Sequence, residues 1–263
     1  MKIILSRKGF DSGYGRIPSP ILPDGTLLSL PIPSENDKIS FSDIKYNNKS
    51  YYDIVRELNP NTKIKSSDTC HLDPNIRKDI TIRPNGWKAA FGQRKAALGH
   101  LCNQGVDIGD IFLYFGWFKQ TELIDGKLSY AKGASDLHVI YGYLQIGDII
   151  TRPDSIPNYL KNQPHAASTY WENCKNSIFL PTEKLSIQPM LPGARCLEFK
   201  KNLVLTKDGC SRSIWDLPDF FKGIPISYNK KAWKEDGFHA AAKGQEFVFE
   251  ATDEVINWIK SFL

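Results

Sequence analysis

The apolar positions of this chain fall in short dense runs separated by polar, proline- and glycine-rich stretches, a pattern of strands more than of helices. The first run, KIILS over residues 2–6, reads as a buried strand. Gly9, Gly13 and Gly15 supply tight backbone for the loop behind it. PSPILPDGTLLSLPIP, residues 18–33, carries five of the sixteen prolines. So many fixed φ angles predict an ordered extended wall around that loop, turning at Pro23-Asp24-Gly25. ISFSDIKYNNKSYYDIVREL predicts an edge hairpin at Asn47-Asn48, then a helix from about Tyr51. Residues 59–86 are polar and read as a functional loop around DTCHLDPNIR. In NGWKAAFGQRKAALGHLCNQG, a rough stripe of Trp87, Phe91, Ala97, Leu98 and Leu101 predicts one helix stopped by Gly105.

The middle of the chain is the clearest strand region. GDIFLYFGWF is a near-continuous apolar run, and TELIDGKLSY is a hairpin about Asp125-Gly126. DLHVIYGYLQIGDII is a further long strand or strand pair, CLEFKKNLVLT another hairpin, and GQEFVFE a late strand. TDEVINWIKSFL closes as a helix capped by Thr252, with Asp253 and Glu254 in its first turn. The expected class is α+β: a mixed, strand-rich sheet or partly open barrel with flanking helices and a C-terminal helix. The whole of 1–263 is expected to form one unit.

Composition narrows the picture only a little. A net charge of +5 permits contact with nucleic acid or a phosphate-bearing ligand without demanding either. The five cysteines are scattered and contain no CxxC pair, so a disulfide framework or zinc knuckle is not expected, and a reduced cytoplasmic setting is. No run approaches the length of a membrane span, so no membrane partner is expected.

Candidate chemistry gathers in three places. The first strand delivers Ser6, Arg7, Lys8, Gly9, Asp11 and Ser12 into a glycine-hinged loop. Backbone N–H groups of such loops form anion-binding concavities, and Arg7 and Lys8 suit a phosphate or carboxylate. Ser6, Asp11 and Ser12 are placed to hydrogen-bond a sugar or base edge. No Walker or Rossmann fingerprint is present. Among the five histidines, His71 and His165 lie in proline-flanked polar loops, where binding residues concentrate. Asp73 is close enough to orient the His71 ring for acid/base work. No histidine pair has the i, i+4 spacing of a helical metal site, so no metal is assigned and the cofactor is left open. On the late strand, Gln245 and Glu246 sit beside a glycine. Glu246 shares a face with Val248 and Glu250: either a solvated face or a carboxylate aimed at a reacting centre opposite Arg7.

ILSRKGFDSGYGRIPSPILPDGTLLSLPIP, HLDP, GHLCNQGVDIGDIFLYFGWF, HVIYGYLQIGD, QPHAA and GQEFV together resemble the nucleotide modification associated domain family, third type. The family's pattern falls here on Arg7, Lys8, Gly9, Phe10, Asp11, Pro18, Ser19, Pro20, His71, Asp73, His165, Gln245 and Glu246. Arg16 stands where a second small residue is expected. The resemblance implies a place in bacterial or phage DNA-base modification, with nucleotide or DNA as partner and other components of such a system as neighbours. The central strand rhythm also looks like that of PUA-like barrels, which hold modified or flipped bases. Two readings follow. One is an enzyme acting by transfer or hydrolysis at a nucleotide or base, with His71, Asp73, His165 and Glu246 as catalytic candidates. In it Ser6, Arg7, Lys8, Gly9, Asp11, Ser12 and Gln245 hold the nucleotide. The other is a non-catalytic reader of a modified base, needing the cations and aromatics but no acid/base pair.

Overall fold

The computed structural model describes residues 1–228, 231–241 and 246–263. Its principal sheet has nine strands. They are β1 (Lys2–Arg7), β2 (Ser19–Ile21), β3 (Phe91–Arg94), β4 (Ile111–Ile124), β5 (Lys127–Tyr130), β6 (Leu137–Ile150), β7 (Asn176–Pro181), β8 (Ala194–Cys196) and β9 (Glu246–Glu250). The α-helices among the described residues are α1 (Tyr51–Leu58), α2 (Lys95–Asn103) and α3 (Asp253–Lys260). The spatial order is β9-β1-β4-β6-β7-β3, with β2 and β5 also on β4 and β8 on β6. β1 and β2 run parallel to β4, and the remaining pairs are antiparallel.

Two strands separate β4 from β3 in that order. Yet the Phe91 ring on β3 lies 4.9 Å from Phe112 and 5.3 Å from Tyr114 on β4, centre to centre. In a flat sheet, three strand spacings of about 4.8 Å would hold those residues about 14 Å apart. The sheet therefore curls into a half-barrel of mixed, strand-rich α+β class. β6 makes the bend. It pairs with β4 as far as Gln145 and with β7 from Ile146, and its register slips between Ile140 and Gly142 and between Ile146 and Asp148. Such irregularities kink a strand and raise its twist. Helix α2 packs against both β3 and β9, the two ends of the curl.

Several expected elements stand where the pattern placed them. Asn47 and Asn48 take left-handed backbone at the tip of a small hairpin, and the Ser50 hydroxyl caps α1 by accepting the Asp53 N–H at 3.0 Å. Thr252 caps α3. Two expectations fail. The helix expected over residues 85–105 begins only at Lys95, and Phe91–Arg94 is β3. Phe91 belongs to the interior of the curl, so the run between Trp87 and Leu101 mimics a helical stripe while serving two elements. CLEFKKNLVLT is not a hairpin: β8 ends at Cys196 and a 3₁₀ turn follows at Lys201–Leu203. The five cysteines are free. No helix among the described residues is long and apolar enough to cross a membrane.

Candidate functional site

The alternation of β1 decides how the first loop is used. Ser6 stands in register with Glu246 on β9 and Tyr114 on β4, so these three share the concave face of the curl. Arg7, in register with Phe115, faces the other side, and Lys8 returns to the concave face. The two cations expected to hold one ligand are thus sent to opposite faces of the sheet.

On the concave face, Lys8 Nζ donates to Glu246 Oε1 at 2.8 Å and lies 4.7 Å from the centre of the Phe91 ring. Gln93 Nε2 donates to the same carboxylate oxygen at 2.6 Å, linking β3 to β9 across the mouth of the half-barrel. The Glu246 side chain is 1% exposed and that of Lys8 10%, so this ion pair is dry. Next to it lies Asp73, whose side chain is 3% exposed. Its Oδ1 accepts the Gly92 N–H at 2.8 Å and Gln163 Nε2 at 2.5 Å. Burial pushes the Asp73 carboxyl up to about 6, against the lowering pull of His71, the Gly92 N–H, Lys8 and Gln163.

The two loop histidines converge on Asp73. Their rings are 5.3 Å apart, and His71 Nε2 is 4.0 Å from Asp73 Oδ2. His71 Nδ1 donates to Asp37 Oδ2 at 2.9 Å, which also accepts the Tyr170 hydroxyl at 2.9 Å. Burial alone would raise the Asp37 carboxyl, but the hydrogen bond and charge of His71, with bonds from Ser34 and Tyr170, hold it below its ordinary value. His165 is buried, and burial with the neighbouring His71 and Lys8 pushes its ring down to about 3, against a bond to Asn176. Asn176 Nδ2 donates to the His165 carbonyl at 3.0 Å, which turns Oδ1 toward His165 Nδ1 at 2.6 Å. Nδ1 is therefore the protonated nitrogen of that ring. Gly92 makes room for it: a Cβ there would stand 2.0 Å from His165 Cγ.

Buried side-chain oxygens without a hydrogen-bond partner among the described residues are those of Ser6, Asp37, Asn75, Tyr114, Gln163 and Glu246. Each belongs to this cluster or adjoins it in sequence or register. Buried polar groups are almost always paired, so such a concentration marks a place built for something beyond packing.

The convex face carries a cleft of about 790 Å³ bounded by Arg7, Asp11, Trp117, His138 and Arg212. The Arg212 guanidinium lies 4.1 Å from the Trp117 ring centre and donates to the Ser12 hydroxyl. Trp117 is fixed by donating Nε1–H to Asp136 at 2.8 Å. Burial pulls the Arg7 guanidinium below its ordinary value, opposed by Asp11 and reinforced by Arg212. Two arginines, an indole and open volume suit an anionic ligand with a planar part.

Sequence and structure agree on some of these residues and part on others. His71, Asp73, His165, Glu246 and Lys8 come together on one face, and Arg7 and Ser12 on the other. The Glu246 carboxylate is not on a solvated face, nor opposite Arg7; its partner is Lys8. Glu250 alone of that pair is exposed, 3.3 Å from Lys2. Asp73 is not the ring-orienting carboxylate of His71, a part taken by Asp37. Nor is the glycine loop an open anion nest, because Asp11 Oδ1 accepts both the Gly13 and the Tyr14 N–H at 2.7 Å. Gly9 is needed for packing, at φ +85° with a Cβ that would lie 2.7 Å from the Ser29 hydroxyl. Ser6 is fully buried. Gln245 lies outside the described residues. Trp215 and Phe221 are core. Sequence reasoning missed Asp37, Gln93, Gln163, Tyr170, Asn176, Trp117 and Arg212. Gln163 alone had a local signal, two residues before His165 in the same polar loop.

The fold and its two centres define a strand-rich half-barrel with a buried imidazole–carboxylate cluster inside and an arginine-lined cleft outside. The chain matches nucleotide modification associated domain 3 over residues 2–250 and belongs to that family. No curated protein and no solved structure matches it. The family's description ties the chain to nucleotide modification.

Proposed function

We propose that this protein is an enzyme that modifies a nucleotide, or a base within DNA, by transfer or hydrolysis. The concave cluster is its reaction centre. The observation that carries this reading is the grouping of His71, Asp73, His165, Lys8 and Glu246, all but His71 almost wholly buried, around unpartnered oxygens. A fold gains little from burying so many ionisable groups in one place, whereas catalysis uses their perturbed environments. Glu246, held by Lys8 and Gln93 through one oxygen with the other unpartnered, is the proton-transferring carboxylate. Arg7 and Arg212 hold the anionic part of a nucleotide or the DNA backbone from the convex cleft, which opens at the same end of β1. A substrate reaching both centres wraps that end of the strand.

Nucleoside mass spectrometry tests the proposal. DNA incubated with the protein, with and without a mixture of nucleotide donors, is digested and compared for wild type, Arg7→Ala and Glu246→Gln. The expected result is a nucleoside gained or lost with wild type and unchanged with Glu246→Gln, while Arg7→Ala weakens DNA or nucleotide binding. An unchanged profile, with DNA still bound through Arg7, replaces the enzyme with a reader of a modified base.

A further inference from the structure

We propose that His71, Asp73 and His165 bind a divalent first-row transition metal ion through the two imidazole Nε2 atoms and Asp73 Oδ2. This rests on reading the concave cluster as the reaction centre and names what that centre holds. One ligand atom from each residue lies within 4.8 Å of the others, and His71 Nε2 is 4.0 Å from Asp73 Oδ2. That separation is too long for a hydrogen bond, so the imidazole and the carboxylate face each other across a gap that neither closes. Around an ion with bonds of about 2.1 Å, neighbouring ligand atoms stand roughly 3 Å apart. Inward shifts of about an ångström, within the reach of side-chain rotation, close the gap.

The surroundings distinguish this trio from an accidental cluster. A metal-bound histidine keeps its other ring nitrogen protonated and donates it to an oxygen, which fixes the tautomer and turns the lone pair inward. Both rings do so here, His71 to Asp37 and His165 to Asn176. Asn176 is itself oriented by the His165 carbonyl, and Asp37 is shared with Tyr170. Asp73 is anchored the same way: Oδ1 is taken by Gly92 and Gln163, leaving Oδ2 toward the histidines. All three ligands therefore have an outer partner from a different stretch of the chain. Two nitrogens and one carboxylate oxygen favour zinc, iron(II), cobalt(II) or nickel(II) over magnesium or calcium, which prefer all-oxygen shells. Three protein ligands also leave coordination positions for water or substrate.

The test uses the full chain without an affinity tag, stripped with EDTA and titrated with Co²⁺ while its visible d–d absorption is followed. One Co²⁺ per chain is expected, displaced by Zn²⁺ and not by excess Mg²⁺. Asp73→Asn and His71→Ala should weaken Co²⁺ binding at least about tenfold, and Asn176→Ala, which only releases the His165 ring, by about 10–100-fold. Arg7→Ala should leave it unchanged. Far-UV circular dichroism reports folding, and partly exposed His71 supplies a usable variant if Asp73→Asn does not fold. Absence of saturable Co²⁺ binding to wild type overturns the proposal, as does binding that survives His71→Ala intact. Nucleotide binding and nucleoside profiles on the same samples separate the two readings. Metal bound with no change in any nucleoside sinks the enzyme alone, and nucleoside chemistry from a protein that shows no saturable Co²⁺ binding sinks this site alone.

Discussion

His138 offers a prediction whose size follows directly from the structure. Its ring is buried on the convex face, and Nδ1 accepts the Trp215 Nε1–H at 3.0 Å. Protonating that nitrogen sets two N–H groups against each other. Burial, then the nearby charges of Arg7 and Arg212, push the ring from its ordinary 6.5 down to about 3. Carrying a proton in the native state thus costs on the order of 5 kcal/mol more than in the unfolded chain. The sign follows from a lowered native value: the stabilisation is present above the unfolded value and is lost as pH falls toward the native one. At about pH 5 the unfolded ring is nearly all protonated and the native ring is still neutral, so folding weakens by about 2 kcal/mol relative to about pH 7. Urea unfolding of wild type and His138→Gln at both pH values isolates the effect. Glutamine keeps an acceptor for Trp215 but does not titrate, and the other ionisable groups are common to both proteins. The stability difference between the two proteins should shrink by about 2 kcal/mol on acidification. Equal losses in both would refute the argument that this ring is buried neutral beside two arginines.

Two further stability measurements address the concave face. Lys8→Met leaves the Glu246 carboxylate buried without its cation and should cost about 3 kcal/mol in urea unfolding. Much of that loss should return in the Lys8→Met/Glu246→Gln double variant; strictly additive losses would mean the pair is not coupled. Gly92→Ala forces a Cβ into the His165 ring and should destabilise by about 1–3 kcal/mol. Gly99→Ala, inside α2 with nothing within 4 Å of its Cβ position, should stabilise by about 0.5–1 kcal/mol. Thermal melts showing the same sign for both glycines would contradict the packing described around His165.

Long elements were legible in the sequence because their patterns repeat. β4 and β6 each run for fourteen residues, and hairpin turns such as Asp125-Gly126 announce themselves in two. β3 was hidden because four residues carry too little period to outweigh the neighbouring helical stripe. The candidate site divides in the same way. His71, Asp73 and His165 stand out as titratable residues in polar loops, but their supports come from elsewhere: Asp37 lies 34 residues from His71, and Gln93 lies 153 from Glu246. No spacing rule spans such separations. The solvated-face reading of Glu246 failed because that strand lies at the end of the sheet order yet is covered by α2 and bonded to Lys8 and Gln93. The splitting of Arg7 from Lys8 follows from strand alternation alone, once β1 is seen to hold its pleat to the end.

The coverage of the two ends of the curl has a consequence for association. An exposed edge strand invites another chain to add to the sheet, the usual route to domain swapping and fibrils. Here the outer side of β9 exchanges bonds with Ser227, whose N–H reaches the Val248 carbonyl at 3.0 Å and whose hydroxyl accepts the Val248 N–H at 2.8 Å. Just before β3, Asn75 pairs with Ala90, and on the strand the Gly92 N–H is given to Asp73. The segment that guards the second border against intruding strands is the one that carries the aspartate of the reaction centre. Loosening that segment would unsettle the cluster and bare a sticky edge in the same event, so variants at Asp73 or its neighbours should be judged for aggregation as well as for activity.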